Sequence, residues 1–579
     1  MTGLSSRNPA GNRMATAAFP ALLVLAALIP FETREPWLEL GPLRFSNLEL
    51  AVLAVLIVSA ASLVSPDRNR GGLRGRLQPL FRQGWTTGVT PPALALAAIL
   101  LVAALAAPDP PHSLRFWGRF TAGLLVYLSA VLILDTAHRR TAAVGVFAAT
   151  SVLVAAIVVL EWWGVPGLRH WLERFRESEA FVGGRIRPAG PLGYPTIAAM
   201  YLEIALAFVL ALIPVAERRS WLGWLPLAAA ALVSLAVILT LTRAGLLGAV
   251  AVHAAVLLPW LVRRGWDRTA RRLAASLATL AVLTAVCAAA DPILRLRLLS
   301  VPETEWYRAA FEVPETWSLH TGDSAEIPVR VHNHGFAPWK AGGQPPLLVS
   351  YHWLDADTGQ IEIFDGLRTP LPQDVPPGSE LAVRVRVQAP PRPGRFRLAW
   401  NVVMEHRFWL SDLTECPSTL VSVTGPALPG PGPAAPPPSP PVSPDRQSLW
   451  RAAVQMFVQH PVLGIGPDRF RLDYGPYLGL PAWDSRVHTN NMYLEFLVGS
   501  GLVGAAAFVW VWVAALGAFR PLGRLADGDP GFLAAAGGTA AILVHGLLDS
   551  FWAFTPTYLA IWLVLALAEG SRVGRLGAP

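Results

Sequence analysis

Two kinds of side chain stand out in this sequence for the chemistry they can do. The first is an imidazole in the run Val487-His-Thr-Asn-Asn-Met-Tyr-Leu-Glu495. Imidazole titrates near neutral pH, so His488 is the side chain best matched to taking a proton from a hydroxyl. It stands just before an apolar run that begins near Asn491. If a helix starts by His488, Asn491 at i+3 and Glu495 at i+7 share its face. Glu495 can then orient the imidazole or stabilise its charged form, with Asn490 and Asn491 binding substrate oxygens. The plainer alternative is an interfacial histidine with Asn490 as a helix cap.

The second kind is arginine. A planar guanidinium binds phosphate oxygens two at a time and stays charged, and the candidates are Arg187, Arg243 and Arg446. Arg243 sits in a short turn between two apolar runs, where a charge close to hydrocarbon is costly and marks function by default; the alternative is a side chain snorkelling to lipid headgroups. His545 and Asp549 are four residues apart at the end of a later apolar run, and either line the same site or pair with each other. Glu203 lies inside an apolar run and needs a partner, for which one of the arginines is a candidate.

The elements that must position these groups are membrane helices. Of 579 residues, 53% are hydrophobic and only 15% are charged, against about 25% charged in soluble domains. Apolar runs of roughly the ~20 residues a span requires lie near 15–31, 47–64, 90–107, 117–136, 141–163, 193–215, 222–241, 244–262, 271–290, 491–518, 531–549 and 552–569. That predicts a mainly α, polytopic bundle of about twelve spans, the first being a true span and not a cleaved signal. With both termini in the cytoplasm, the inner loops carry Arg68 to Arg82, Arg139 and Arg140, Arg218 and Arg219, Arg263 to Arg272, and Arg520 and Arg524, with Arg572 and Arg575 in the tail. This is the basic bias of cytoplasmic loops. The net charge of +8 is carried almost wholly by arginine, with Lys340 an isolated lysine, and it reads as loop charge and contact with anionic membrane lipid, not nucleic-acid binding.

Two stretches fall outside. Residues 161–192 carry Arg169, Arg174 and Arg176 near Glu173, Glu177 and Glu179, which suits local pairing. The second, roughly 291–490, is far longer than an ordinary connection. Alternating stretches at 325–332, 347–353, 361–364, 381–387, 396–403 and 419–423, separated by turn signals such as Pro376-Pro377-Gly378, predict an all-β, immunoglobulin-like sandwich over 301–425. Pro426 to Gln447 is a Pro-rich spacer. The expected organisation is therefore helices one to nine over 1–300, the extracytoplasmic sandwich over 301–425, a linker over 426–447, an extracytoplasmic catalytic loop over 448–490, and helices ten to twelve over 491–579. Trp339, Tyr351, Trp353, Trp400 and Trp409 of the sandwich can stack on sugars, although Trp353 and Trp400 read better as core. Cys287 and Cys416 stand in unrelated segments and are not expected to pair. His332 and His334 share a strand face but lack a third ligand nearby, so no metal site is expected there.

Four motifs in order carry a resemblance. Arg446-Gln-Ser-Leu-Trp450 is followed by His460-Pro-Val-Leu-Gly-Ile-Gly-Pro467, then His488-Thr-Asn-Asn-Met-Tyr-Leu494, then Gly499-Ser-Gly-Leu-Val-Gly504. Together they resemble the O-antigen ligase and polymerase (Wzy-type) family of polytopic glycosyltransferases. Arg187-Pro-Ala-Gly-Pro-Leu-Gly-Tyr-Pro195 and Leu241-Thr-Arg-Ala-Gly245 look like two upstream elements of the same family, with Thr196 where the family often has Asn and Thr242 where it has Ser. The sandwich is not a usual part of that family. The resemblance implies an enzyme of the cytoplasmic membrane that moves a glycan from a polyprenyl-diphosphate donor to the hydroxyl of a glycolipid, polysaccharide or protein, with inversion, without a metal and without a cofactor. It implies His488 as base with Glu495 behind it, and Arg187, Arg243 and Arg446 on the diphosphate, with Asn490, Asn491, His545 and Asp549 lining the substrate site. A flippase of lipid-linked glycans would share the bundle and the arginines but not need His488. A glycan-binding membrane protein without catalysis would use the sandwich alone.

Overall fold

The computed structural model describes residues 9–41, 43–64, 88–216, 223–301, 303–343, 345–405, 407–412, 415–429, 444–520 and 528–576. Arg68 to Arg82, Arg218, Arg219, Arg524 and most of the Pro-rich spacer lie outside the described residues. The chain divides into two compact units, one made of residues 1–179, 188–284 and 443–579, the other of 180–187 and 285–442.

The first unit is helical. Its helices are α1 (Pro9–Leu28), α2 (Asn47–Val64), α3 (Thr90–Leu105), α4 (Pro110–Ile133), α5 (Ala137–Trp162), α6 (Pro195–Ala211), α7 (Leu225–Leu239), α8 (Arg243–Arg264), α9 (Arg268–Ala290), α10 (Arg446–Gln459), α11 (Phe470–Tyr477), α12 (Met492–Ala518), α13 (Pro530–His545) and α14 (Thr555–Leu576). Six are long and apolar enough to cross a membrane: α4, α5, α8, α9, α12, and α6 counted through Ala216. Six shorter apolar helices, α1, α2, α3, α7, α13 and α14, occupy the other runs anticipated from the sequence. The chain is thus an integral membrane protein, and Cys287 and Cys416 are both free thiols.

α6 is buried all round, from Ile197 to Ala211, because it is apolar on every face and packs against α5, α7, α8 and α13. α12 begins where Asn491 accepts hydrogen bonds from the Tyr493 and Leu494 amides at 3.0 Å each. That cap is worth about 1 kcal/mol. The helix kinks at Gly501, where φ is +63°, a conformation glycine adopts without strain. The kink has a partner: the turn 460–468 packs into it, with Ile465 N donating to Val498 O at 2.9 Å and Leu502 N to Pro461 O at 2.8 Å. A Cβ at Gly501 would run into the Val462 carbonyl.

The second unit is mostly β. Strands β1 (Leu38–Leu40) and β2 (Leu43–Phe45) belong to the helical unit, whereas β3 (Ala180–Val182) and β4 (Arg185–Arg187) form a hairpin of the second. There follow β5 (Ala309–Glu312), β6 (Thr316–His320), β7 (Ser324–Asn333), β8 (Leu347–Asp355), β9 (Ile361–Ile363), β10 (Thr369–Pro370), β11 (Glu380–Gln388), β12 (Gly394–Met404), β13 (Phe408–Trp409) and β14 (Ser418–Thr424). One sheet runs β10-β8-β12-β14-β6, with β9 on β8 and β13 on β12; the other runs β11-β7-β5. All pairs are antiparallel except β14 with β6. Val329, Val331, Val383 and Val385 of the smaller sheet and Tyr351, Trp353, Leu398 and Trp400 of the larger are buried. Trp353 Nε1 donates to Gln388 O at 2.9 Å and Gln388 N to Tyr351 Oη at 2.9 Å, tying sheet to sheet.

This core corrects one expectation. Trp339 and Tyr351, like Trp353 and Trp400, are fully buried, so their rings are packing and not a sugar platform. Trp409 is half-buried, with the His352 ring tilted against it, Phe364 meeting it edge to face, and the Arg368 guanidinium 4.8 Å from its centroid. His332 bonds Glu312 and lies 3.4 Å from Glu380, with His334 stacked on it.

Candidate active site

The site forms where the start of α12, the turn 460–468 and the start of α4 meet. Asn490 takes a left-handed φ of +51°, which swings His488 and Thr489 back over the first turn of α12. Glu495, one turn into the helix, reaches them. Its Oε1 accepts from His488 Nδ1 at 3.3 Å, and its Oε2 from Thr489 N at 3.0 Å and Thr489 Oγ1 at 2.8 Å. The sequence expectation put a helix start at His488, with Asn491 on its face. In the structure the helix starts after Asn491, whose Oδ1 caps it and whose Nδ2 donates to Leu547 O at 3.0 Å. Both ends of the Asn491 side chain are thus occupied by backbone.

A second carboxylate, Asp468, stands on the other side of the imidazole, its Oδ1 3.9 Å from His488 Nδ1. It has a positive φ of +62°, a position set by the Gly464-Ile-Gly-Pro turn before it. Arg471 grips it with Nε at 3.0 Å and Nη2 at 2.9 Å. His112, near the start of α4, bonds Asp468 Oδ2 through Nε2 at 3.0 Å, and its neighbour Ser113 donates to Pro467 O at 3.0 Å. Asp468, Arg471 and His112 were not among the residues singled out from sequence. Asp468 follows the quoted glycine turn directly; His112 carries no local signal, because 356 residues separate it from its partner.

These groups form the polar corner of a cleft of about 330 Å³. Asp468, His488, Glu495 and Ser550 are on its polar side; Phe116, Phe496 and Trp552 are on the other. The surrounding charges raise the proton affinity of the imidazole. Burial alone would lower the pKa of His488, but the carboxylates of Glu495 and Asp468 outweigh it and hold the pKa above its ordinary value. Burial would raise that of Asp468, yet Arg471, His488 and His112 hold it below the usual carboxylate range. With Nδ1 turned to carboxylate, Nε2 is the nitrogen available to a substrate proton.

The arginines divide. Arg446 opens α10, which Asp445 caps by accepting from Ser448 N at 3.0 Å. Arg446 lies within electrostatic reach of Arg243, His545 and Asp549. Asp549 in turn bonds Thr196 and feels His488. Two arginines, two histidines and one aspartate of the expected set therefore share a neighbourhood of the helical unit. Arg187 is the last residue of β4, in the second unit. His545 is fully buried and bonds Glu203 Oε1 through Nδ1 at 2.7 Å, so the partner of Glu203 is a histidine and not one of the arginines.

Residues 441–509 match the O-antigen ligase family model. This ligase-family segment contains Arg446, the turn 460–468, Asp468, Arg471, His488, Thr489 and Glu495, so the match and the polar corner of the cleft coincide. It supports membership of the O-antigen ligase family, and with it a ligase of the membrane glycosyltransferase type. A comparison with the curated proteins finds no match to the chain.

Ligand atoms of Asp468, His488 and Glu495 lie within 4.8 Å of one another, a spacing that suits a divalent ion. Both oxygens of Asp468 are, however, already engaged by Arg471. A cation at that spot would compete with a guanidinium already in place.

Proposed function

We propose that this chain transfers a glycan from a polyprenyl-diphosphate donor to an acceptor hydroxyl at the outer face of the cytoplasmic membrane. The observation that carries this reading is the His488–Glu495–Asp468 cluster of the ligase-family segment opening into a cleft, with Arg446 within electrostatic reach of Asp549 and of Arg243. The acceptor oxygen attacks the anomeric carbon as His488 Nε2 takes its proton. The bond from that carbon to the diphosphate oxygen breaks with inversion, and its electron pair leaves on the diphosphate. Arg446 and Arg243 hold the developing charge, as a metal ion would in other enzymes. Glu495 fixes the imidazole and stabilises its charged form. Asn490 and Asp549 border the substrate, whereas His545, sealed against Glu203, supports the wall behind it. About twelve crossings with both termini in the cytoplasm place the cleft outside, and the immunoglobulin-like β unit acts as an accessory that tunes acceptor choice.

The test is direct. Purified protein in lipid is supplied with a polyprenyl-diphosphate glycan and a hydroxyl acceptor in the presence of EDTA. Release of polyprenyl diphosphate coupled to acceptor glycosylation is expected, and His488→Ala is expected to abolish it. Transfer that persists in His488→Ala, or that stops with EDTA and returns with a divalent ion, overturns the mechanism.

A further inference from the structure

The helix that carries Arg446 has more apolar surface than its packing uses. α10 buries Leu449, Ala452, Ala453 and Met456 against Ile465, Phe470, Tyr474 and Val498. One row at i, i+4 spacing, Trp450–Val454–Val458, continues past the helix to Val462. Trp450 is half-buried, but Val454, Val458 and Val462 are 49%, 67% and 61% exposed. The adjacent row, Arg451–Gln455–Gln459, is exposed and polar. The polar side of α10 is therefore a narrow strip, and the rest is apolar.

The exposed valines do not end in open water. Val462 and Pro461 are bonded through their carbonyls to the Val503 and Leu502 amides of α12, and Leu502 and Val503 are themselves exposed. Beyond them, Val509, Trp510, Val513 and Leu516 continue the exposed apolar surface along α12, a helix of membrane-spanning length. The exposed apolar residues of α12 therefore adjoin those at the end of α10.

We propose that α10 is an interfacial helix, lying in the membrane surface with Val454, Val458 and Val462 among the lipid acyl chains and Arg451, Gln455 and Gln459 in water. Such a helix buries its apolar face ~5–10 Å into the headgroup boundary. The consequence for the transfer reaction, which rests on the reading above, is that Arg446 is held at the depth of a lipid diphosphate. The immersion itself does not depend on that reaction.

The experiment places single nitroxide labels on a Cys287→Ser/Cys416→Ser background in lipid nanodiscs and compares collision with dissolved oxygen against collision with a water-soluble nickel chelate. Labels at Val454→Cys, Val458→Cys and Val462→Cys are expected to favour oxygen, as a Val513→Cys control on α12 does. Labels at Gln455→Cys and Gln459→Cys are expected to favour the chelate. Chelate-accessible labels at 454 and 458 overturn the proposal. So do labels there that are immobilised and shielded from both probes, because then protein and not lipid covers the face. No turnover is measured, so failure of the transfer reading leaves this result standing. Where transfer is measured, Val454→Asp/Val458→Asp is expected to raise the KM for the lipid-linked donor about tenfold and leave that for a soluble acceptor within twofold.

Discussion

The histidine–glutamate pairs His488–Glu495 and His545–Glu203 differ in access. His488 and Glu495 meet at 3.3 Å with about a tenth of each side chain exposed, on the wall of a cleft. His545 and Glu203 meet at 2.7 Å with neither exposed, between α13 and α6. The inner pair is the tighter one, and Gly248 of α8 leaves the space that its carboxylate fills. The outer pair is looser and has a second carboxylate, Asp468, and an arginine, Arg471, behind it. The chemistry of the side chains is the same in both pairs. What separates them is whether a substrate can arrive. On the proposed mechanism the outer pair exchanges a proton, while the inner pair joins α13 to α6.

Breaking each pair separates these roles most sharply. General acid–base groups contribute typically 10²–10⁴-fold, so His488→Ala is expected to lower the transfer rate by about that factor while the thermal midpoint in detergent hardly moves. Removing one member of a buried hydrogen-bonded pair leaves the other unsatisfied at a cost of about 1–3 kcal/mol, with the loss of packing added to it. Glu203→Ala or His545→Ala is therefore expected to lower the thermal midpoint strongly, and a double replacement by apolar residues, Glu203→Met/His545→Phe, to recover much of the loss. A His545→Ala protein that keeps its thermal midpoint and loses only turnover would move the inner pair into the catalytic machinery.

The next effect is on pH dependence. A base acts in its neutral form, so transfer should rise as pH passes the pKa of His488, which the two carboxylates place above the ordinary imidazole value. Asp468→Asn removes one of them and should move the rising limb to lower pH. Glu495→Gln should move it the same way and lower the plateau as well, since Glu495 also orients the ring. Rate–pH profiles for the three proteins check the order. A limb that stays in place in Asp468→Asn would show that Asp468 serves Arg471 and His112 and not the base.

Much of the outer pair was legible in the sequence, and the inner pair was not. His488 and Glu495 are seven residues apart, so one turn of chain brings them together. Each apolar run announces its helix, because a span needs ~20 apolar residues whatever its neighbours. Glu203 and His545 are 342 residues apart, and nothing local tells a buried carboxylate whether its partner is an imidazole or a guanidinium. The same limit hid His112. The β strands were readable from their alternation, but alternation marks an inward ring without showing how deep it lies, which is why Trp339 and Tyr351 passed for exposed stacking surfaces.

The smallest effect tests how far the site extends along α12. Asn491 stands three residues from His488, and a sugar ligand there would look the same in sequence as a helix cap. The structure gives its Oδ1 to the Tyr493 and Leu494 amides and its Nδ2 to Leu547 O. Losing a cap costs about 1 kcal/mol, so Asn491→Ala should lower the thermal midpoint by a few degrees and slow transfer only as far as the His488 loop loosens. Asn491→Ser restores a capping oxygen but shortens the side chain and removes the amide donor. If Asn491 acts as a cap, the serine variant recovers both midpoint and rate; if its amide holds a sugar, the serine variant recovers the midpoint alone. Thermal unfolding and steady-state transfer measured on the same preparations decide between the two, and with them whether the polar wall of the cleft ends at Thr489 or continues onto the helix.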